Sequence, residues 1–536
     1  MTELEKQENE NRLVKSTATS AVMIMVSMII SRILGFVRDM IIYAKFGQGM
    51  YTDAYNAAFK IPDFIYMILV GGAFSAAFIP VISSYVAKNK QKEAWEVASI
   101  TLNVVCAVML VLVGVVYFLT PWLLSIWLDF KDPQTMLLTI KLTRIMLLQV
   151  VFMALAGICS GILQSFKIFG PTAYGGVVYN LGIIVVGAIF SGVIEKHFPG
   201  FGIAAFSIGV VAGALGNFLI QAVSLKKIGI HYSPSFDIHH EGFQRIIGLM
   251  VPVLIGLSAS ELGIFINYRL GSSLEEGLLT AFASAQRFMQ LPISIFAISI
   301  AMTLFPVLTS HAAKNKIGEF RKDYSQGLRT IFFICIPCSV LLGALGVPFI
   351  RLLFETGKFT PESTQNTAFA LYFFVIGIFA QGDIHLSSRA FYALQNTKTP
   401  VIMAIIGVGV NIALSLVLVK VLAQGGLALA YSISGVVNLF LLMWVLRKKI
   451  GGIDGRNIAK SFVLVLCASA VMGVVAYFTA WGLEATLGIA NKGTQFAQLM
   501  ISGFVGVGVF LVIAKCLKIP ETDAAIAMVK RRFKRK

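Results

Sequence analysis

Arg32, Arg38 and Asp39 stand in the stretch Ser31-Arg32-Ile33-Leu34-Gly35-Phe36-Val37-Arg38-Asp39-Met40, inside an apolar run that begins near Ala18. An isolated ion in hydrocarbon is costly, so charges in such runs face a bundle interior or a water-filled cavity. Arg32 lies roughly 21 Å into the run at the helical rise, whereas Arg38, about two turns on, is near enough to an end to snorkel. Their spacing turns the two side chains about 120° apart, so they need not share a ligand. Arg38 and Asp39 can equally form a local interfacial ion pair.

Further charges sit at depth. Lys60, beside Pro62 and Asp63, and Arg287, followed by Gln290 and Pro292, occupy comparable parts of two later apolar stretches. Glu261, Lys141, Arg144 and the set Asp383, His385 and Arg389 add to them. Asp383 and Arg389 are spaced wrongly for a single-face helical pair, and His385 reads as a structural hydrogen-bonding group. Cations outnumber acids, which points to an anionic substrate group. Arginine suits phosphate because its planar donors grip two oxygens. There is no GxxxxGK[ST] loop for ATP and no compact acid, base or metal cluster. The expectation is a non-enzyme without a cofactor. Cys335 and Cys338 lack nearby ligands and read as small buried apolar groups.

The elements that must carry these residues are membrane helices. Of 536 residues, 57% are hydrophobic and 13% charged, against about 25% charged in soluble domains. A span needs roughly 20 apolar residues, and fourteen are expected, near 18–44, 54–85, 94–119, 134–165, 172–192, 201–225, 245–269, 278–310, 328–353, 364–393, 400–421, 426–446, 460–480 and 499–516. The fold class is therefore all-α and polytopic. The net charge of +18 does not point to nucleic acid, because the basic residues cluster in alternate loops. Lys88, Lys90 and Lys92, Lys314 to Arg329, and Arg447 to Lys449 lie on one side with the tail Lys530 to Lys536. Lys45, Lys131, Lys196, Lys358 and Lys492 are sparse on the other. This bias predicts both termini in the cytoplasm. The polar first residues lack the pattern of a signal peptide.

Segments of the first half recur in the second, about 220–230 residues on. Gly161-Ile162-Leu163-Gln164-Ser165-Phe166-Lys167 resembles Tyr392-Ala393-Leu394-Gln395-Asn396-Thr397-Lys398, and Asn180 and Asn411 follow in matching places. Lys226-Lys227-Ile228-Gly229 matches Lys448-Lys449-Ile450-Gly451. The repeat unit is six helices, so the halves are parallel bundles, a common transporter plan. The organisation expected is a segment 1–17, lobes 18–229 and 230–451, a pair of helices in 452–517 forming either a groove or a lipid-facing flank, and a basic tail 518–536. Pro62, Pro80, Pro292 and Pro306 should interrupt their helices.

Ser31 to Asp39, Asp53-Ala54-Tyr55, Phe59-Lys60-Ile61-Pro62, Gly71-Gly72-Ala73-Phe74-Ser75-Ala76-Ala77-Phe78-Ile79-Pro80 and Gln286 to Pro292 resemble the MurJ (MviN) lipid II flippase family, within the multidrug/oligosaccharidyl-lipid/polysaccharide exporter superfamily. The resemblance spans essentially the whole chain. It implies two six-helix lobes around a cationic cavity, two extra helices forming a groove, and movement of an undecaprenyl-pyrophosphate-linked precursor across the bacterial inner membrane. It carries functional arginines onto Arg32, Arg38 and Arg287 and a supporting acid onto Asp53. The chain departs from the family at Tyr66, Gly71 and Gln290, where an arginine and two acids would fall, so Lys60 gains weight. Some members bind sodium between the seventh and eleventh spans. Asn411 and Ser415 match that region only approximately, Ser415 is neutral where an acid would be expected, and Glu261 could supply charge. Membrane potential alone is the other drive, at about 2.3 kcal/mol per charge per 100 mV. The partners implied are lipid II, membrane lipids and proteins of cell-wall synthesis; the runner-up function is export of another polyprenyl-linked glycan.

Overall fold

The structure is a computed structural model describing residues 3–67, 73–229, 231–489 and 491–523 of the chain. Gly71-Gly72 and the basic tail from residue 524 lie outside the described residues. Contact density divides the chain into two compact units, Met1–Glu261 and Leu262–Lys536.

The first unit runs through α1 (Glu3–Phe46), α2 (Met50–Ala58), α3 (Lys60–Tyr66), α4 (Ala73–Ala87), α5 (Gln91–Trp127), α6 (Pro133–Ser165), α7 (Gly170–His197) and α8 (Ala204–Leu225) into α9 (Glu241–Ser272). The second continues with α10 (Leu278–Pro292), α11 (Ile298–Ala313), α12 (Ile317–Ala344), α13 (Gly346–Phe354), α14 (Pro361–Phe374), α15 (Ile378–Ala393), α16 (Lys398–Ile450), α17 (Gly455–Leu487) and α18 (Lys492–Cys516). No strand occurs among the described residues.

Local chemistry sets many of these boundaries. Helix α1 stops at Gly47, whose φ of 72° lets its N–H bond back to the Tyr43 carbonyl at 2.8 Å. Helix α6 starts at Asp132, whose carboxylate accepts from Thr135 N at 2.9 Å and Gln134 N at 3.1 Å, with Pro133 in the first turn. Those bonds, the Thr135 hydroxyl's foremost, hold the Asp132 carboxyl below its ordinary range. Asn491 caps α18 through Thr494 N at 2.9 Å.

Ten helical stretches among the described residues are long and apolar enough to cross a membrane. The expected spans 400–421 and 426–446 are the two helices within α16, which meet at a sharp break at Ala423, with φ 45° and ψ −126°, where a Cβ on Gly426 would meet the Leu418 carbonyl oxygen. The expected spans 18–44, 54–85 and 245–269 include positions whose backbone or side chains lie outside the described residues. Large apolar side chains are exposed along the long helices as well as buried between them. Phe118 and Val421, for example, are 77% and 78% exposed, as lipid-facing residues should be. Pro292 closes α10 and is followed by a π-helical turn, Ile293–Ala297. Pro80 and Pro306 sit inside α4 and α11.

Packing in the first unit depends on glycine where helices cross. A Cβ on Gly182 of α7 would lie 2.5 Å from Gly213 Cα of α8, and one on Gly209 would lie 2.9 Å from Ile183 Cα. The backbones of α7 and α8 therefore touch directly.

Candidate functional site

In the first unit, α1 and α7 run side by side along a seam of small residues. A Cβ on Gly170 would meet the Met23 side chain, one on Gly176 would meet Ser31 Oγ at 2.8 Å, and one on Gly35 would lie 3.8 Å from Asn180 Oδ1. Ser27, Ser31, Gly35 and Arg38 recur at helical spacing, so one face of α1 meets α7. Arg38 lies at the end of this stripe. Its Nε and Nη2 each stand 3.0 Å from Asp39 Oδ1, and Nη1 donates to Asn180 Oδ1 at 3.4 Å. Asn180 donates in turn to Ser31 Oγ at 3.2 Å and to the Gly176 carbonyl at 3.0 Å. Asp39 is 3% exposed. Arg38 is thus oriented by a buried acid and an amide on another helix, which fixes a guanidinium that would otherwise be mobile.

Arg32, turned away from that seam, is exposed, and no described residue bonds or pairs with it. Asp53 is buried on α2, which packs against α1 and α6. Lys60 and Asp63 lie at the start of α3, and both charges act on Glu261 of α9. The charges of Arg38 and Asp63 also reach Tyr179, whose hydroxyl donates to Gln149 Oε1 at 2.9 Å. The first unit therefore gathers Arg38, Lys60, Asp63 and Glu261 from α1, α3 and α9. Tyr66, where the family resemblance leads one to look for arginine, is half-buried in the same neighbourhood beside Asp63.

Tyr179, Gln149 and Ser31 were not singled out from the sequence. The pairing of Ser31 with Asn180 could have been found by extending the small-residue stripe of α1 to a facing polar residue. Tyr179 and Gln149 sit in apolar helices with nothing local to mark them.

In the second unit, Arg287 is half-buried on α10. Thr280, Ser284, Arg287, Gln290 and Ser294 recur at intervals of three and four, a polar stripe along one side. Phe288, the residue after Arg287, is buried, and its ring packs 5.2 Å from both Phe349 and Phe354. Asp383 is fully buried on α15, and neither carboxylate oxygen has a hydrogen-bond partner. The Cβ that Gly382 lacks would lie 2.9 Å from Ala297 Cβ and 3.5 Å from Cys335 Sγ. Arg389 makes no ion pair with Asp383 among the described residues, and its Nη1 is buried without a partner.

Asn411 and Ser415 lie on α16 against α9. Ser415 Oγ donates to Asn267 Oδ1 at 3.1 Å. A Cβ on Gly263 would be 3.8 Å from Asn411 Oδ1, repeating the Gly35–Asn180 approach of the first unit. Ile266 stands where arginine would be needed to bond Asn411, and both polar atoms of that amide are buried without partners. Oxygen donors of this kind suit sodium in type. All three are neutral, however, and a buried cation needs a compensating carboxylate. The three neutral donors by themselves do not fit a resident sodium ion. Among the described residues no group of three or more His, Cys, Asp or Glu is placed to hold a metal.

Helices of membrane-spanning length, with charges turned inward in each of two compact units, define a multi-pass membrane transporter. Solved structures agree on the fold. An inward-facing multidrug resistance MATE family transporter of the MOP superfamily superposes with a TM-score of 0.68 at 15% identity, covering 81% of this chain and 98% of that one. The structure described as lipid II flippase MurJ, inward closed conformation, superposes with a TM-score of 0.76 at 26% identity over 92% of this chain and 98% of its own. The probable lipid II flippase MurJ of Buchnera aphidicola subsp. Acyrthosiphon pisum is 31% identical over 84% of this chain and 87% of its own length. The profile of the family "Lipid II flippase MurJ" matches residues 42–489. The chain belongs to the lipid II flippase MurJ family.

Proposed function

We propose that this protein flips lipid II, the undecaprenyl-pyrophosphate-linked peptidoglycan precursor, from the cytoplasmic to the outer leaflet by alternating access. The observation that carries this reading is Arg38, a half-buried guanidinium within an apolar unit, held in place by Asp39 and Asn180. Such a fixed fork grips a pyrophosphate, which presents paired oxygens. Arg32 and Lys60 in the first unit and Arg287 in the second supply the remaining positive charge, and Asp53 buttresses the α1–α2 corner.

The lobes in this reading are residues 18–229 and 230–451, and they rock about the bound headgroup. The polyprenyl tail remains in the bilayer or lies in a groove reached by residues 452–517. An apolar groove between Leu291, Phe296, Leu342, Phe349 and Leu499 joins α10, α12 and α18 and suits such a chain. No covalent bond changes, so the protein is not an enzyme. Both termini are cytoplasmic, as the loop charges require, and the membrane is the bacterial inner membrane. Nucleic acid has no part, and cell-wall synthesis proteins are the natural macromolecular partners. The drive is membrane potential acting on the charged cavity, since the α9–α16 oxygens carry no charge to balance sodium.

The test is lipid II translocation in proteoliposomes, with and without an imposed potential and with sodium exchanged for potassium. Wild type should move lipid II in a potential-dependent manner. Arg32→Gln and Arg287→Gln, reconstituted at equal amounts, should lose most of that activity. Normal flipping by both variants would remove the charge-grip mechanism. Transport of another polyprenyl-linked glycan with none of lipid II would move the assignment to that substrate.

A further inference from the structure

A second concave site lies in the second unit, and it shares no lining residue with the groove beside α18. It is a cavity of about 580 Å³ between α12, α15, the end of α16 and the start of α17. That size falls within the usual range for small-ligand sites, about 300–1,000 Å³. Its floor is an aromatic cluster, with Phe462 packed 5.2 Å from both Phe332 and Phe379. One wall is Phe440 and Trp444, 65% and 55% exposed. Apolar side chains line most of it.

One end of this cavity is different in kind. Arg447 lines it, and Lys448 and Lys449 follow in the last turn of α16. Arg456 and Lys460 stand in the first turns of α17. All five are exposed. Lys448 Nζ lies 3.8 Å over the Trp444 ring, which turns a cation toward the apolar wall. The nearby acid is already engaged: Asp454 Oδ2 accepts from Ser325 Oγ at 3.1 Å, and both its oxygens accept from Asn457. The connection itself is pinned by Arg321 Nη2, which donates to the Ile450 carbonyl at 2.7 Å. A fixed, net-positive rim thus closes one end of an aromatic trough.

We propose that this trough is a binding site for one anionic glycerophospholipid of the surrounding bilayer. The acyl chain lies along Phe332, Phe379 and Phe462, and the phosphate is held by Arg447 with Lys460 beside it. Charge complementarity selects the headgroup, because basic pockets between membrane helices bind anionic lipid heads. Trp444 marks the interfacial level, where such rings collect. The arrangement makes no use of the residues assigned to substrate and does not depend on the transport reading.

The full chain is reconstituted in phosphatidylcholine vesicles containing a stepwise increasing, small fraction of chain-brominated lipid, which quenches tryptophan on contact. The brominated lipid is phosphatidylglycerol in one series and phosphatidylcholine in the other. The chain has five tryptophans, so the Trp444 signal is the part lost in Trp444→Phe. That signal should be quenched at lower fractions of brominated phosphatidylglycerol than of brominated phosphatidylcholine. Arg447→Gln should reduce the preference about fivefold, the factor one basic residue near an anionic surface is worth. Lys314→Gln, on the α11–α12 connection, should leave it unchanged. Equal quenching by the two lipids, or an unaltered preference in a folded Arg447→Gln protein, would overturn the proposal. So would relief of the quenching by a polyprenyl pyrophosphate at equimolar amounts, which would give the trough to the transported lipid.

Discussion

Gly182→Ala tests whether direct backbone contact holds α7 to α8. The added Cβ would sit 2.5 Å from Gly213 Cα and 2.7 Å from Gly213 N, against 3.4–4 Å for an ordinary Cβ contact. The obstructing atoms are backbone and cannot rotate away, so the helices must part by about 1 Å along the seam. Overpacking of this kind costs about 1–3 kcal/mol, and a rigid obstacle places it at the upper end. Replacing glycine in a helix returns about 0.5–1 kcal/mol. The net is a destabilisation of about 2 kcal/mol. For a unit of this size that lowers the unfolding midpoint by about 4–8 °C. Gly192→Ala is the internal control, since it lies on the same helix with nothing within 4 Å of its new methyl. It should raise the midpoint slightly, by helix propensity alone. The assay is thermal unfolding of the purified protein in detergent, followed by intrinsic fluorescence and by loss of the monodisperse peak. Equal midpoints for the two variants, or a Gly182→Ala protein as stable as wild type, would refute the close-contact argument.

Ala423→Gly should stabilise the protein by about 1 kcal/mol, because φ 45° with ψ −126° is costly for an L-residue and free for glycine; a higher unfolding midpoint is the readout. Asn180→Ala removes Arg38's second anchor and two hydrogen bonds between α1 and α7. At about 0.6 kcal/mol for each interhelical bond in a membrane protein, the loss is about 1–2 kcal/mol, and lipid II transport should fall more than stability does. Lys492→Ala frees the carbonyls of Arg351, Leu352 and Glu355, which Nζ now bonds at 2.8–3.0 Å. The end of α13 should then loosen, at a cost of about 1–2 kcal/mol, visible as faster hydrogen exchange over residues 346–355.

What the chain determined by itself was its class and its chemistry. Long apolar runs have one solution in a bilayer, because every backbone polar group must be satisfied within its own segment. Charges at Arg32, Arg38, Lys60 and Arg287 were legible because hydrocarbon makes them conspicuous. The match of Asn180 with Asn411 was also visible, and each now stands opposite a glycine, Gly35 and Gly263. Only the tertiary structure decided what those residues meet. Arg38 and Asn180 are far apart in sequence, and their bond depends on the small-residue seam that brings α1 onto α7. Asn411 has no such arginine, so equivalent positions in the repeat have different chemistry. Asp383 and Arg389 are near in sequence, yet the carboxyl is sealed against α12 while the guanidinium points elsewhere. The division of α16 near Ala423 was legible as two expected spans, 400–421 and 426–446, whereas the φ and ψ that make the break at that one position were not. Side-chain type records what a residue can do, and packing across helices decides whether it meets a partner with which to do it.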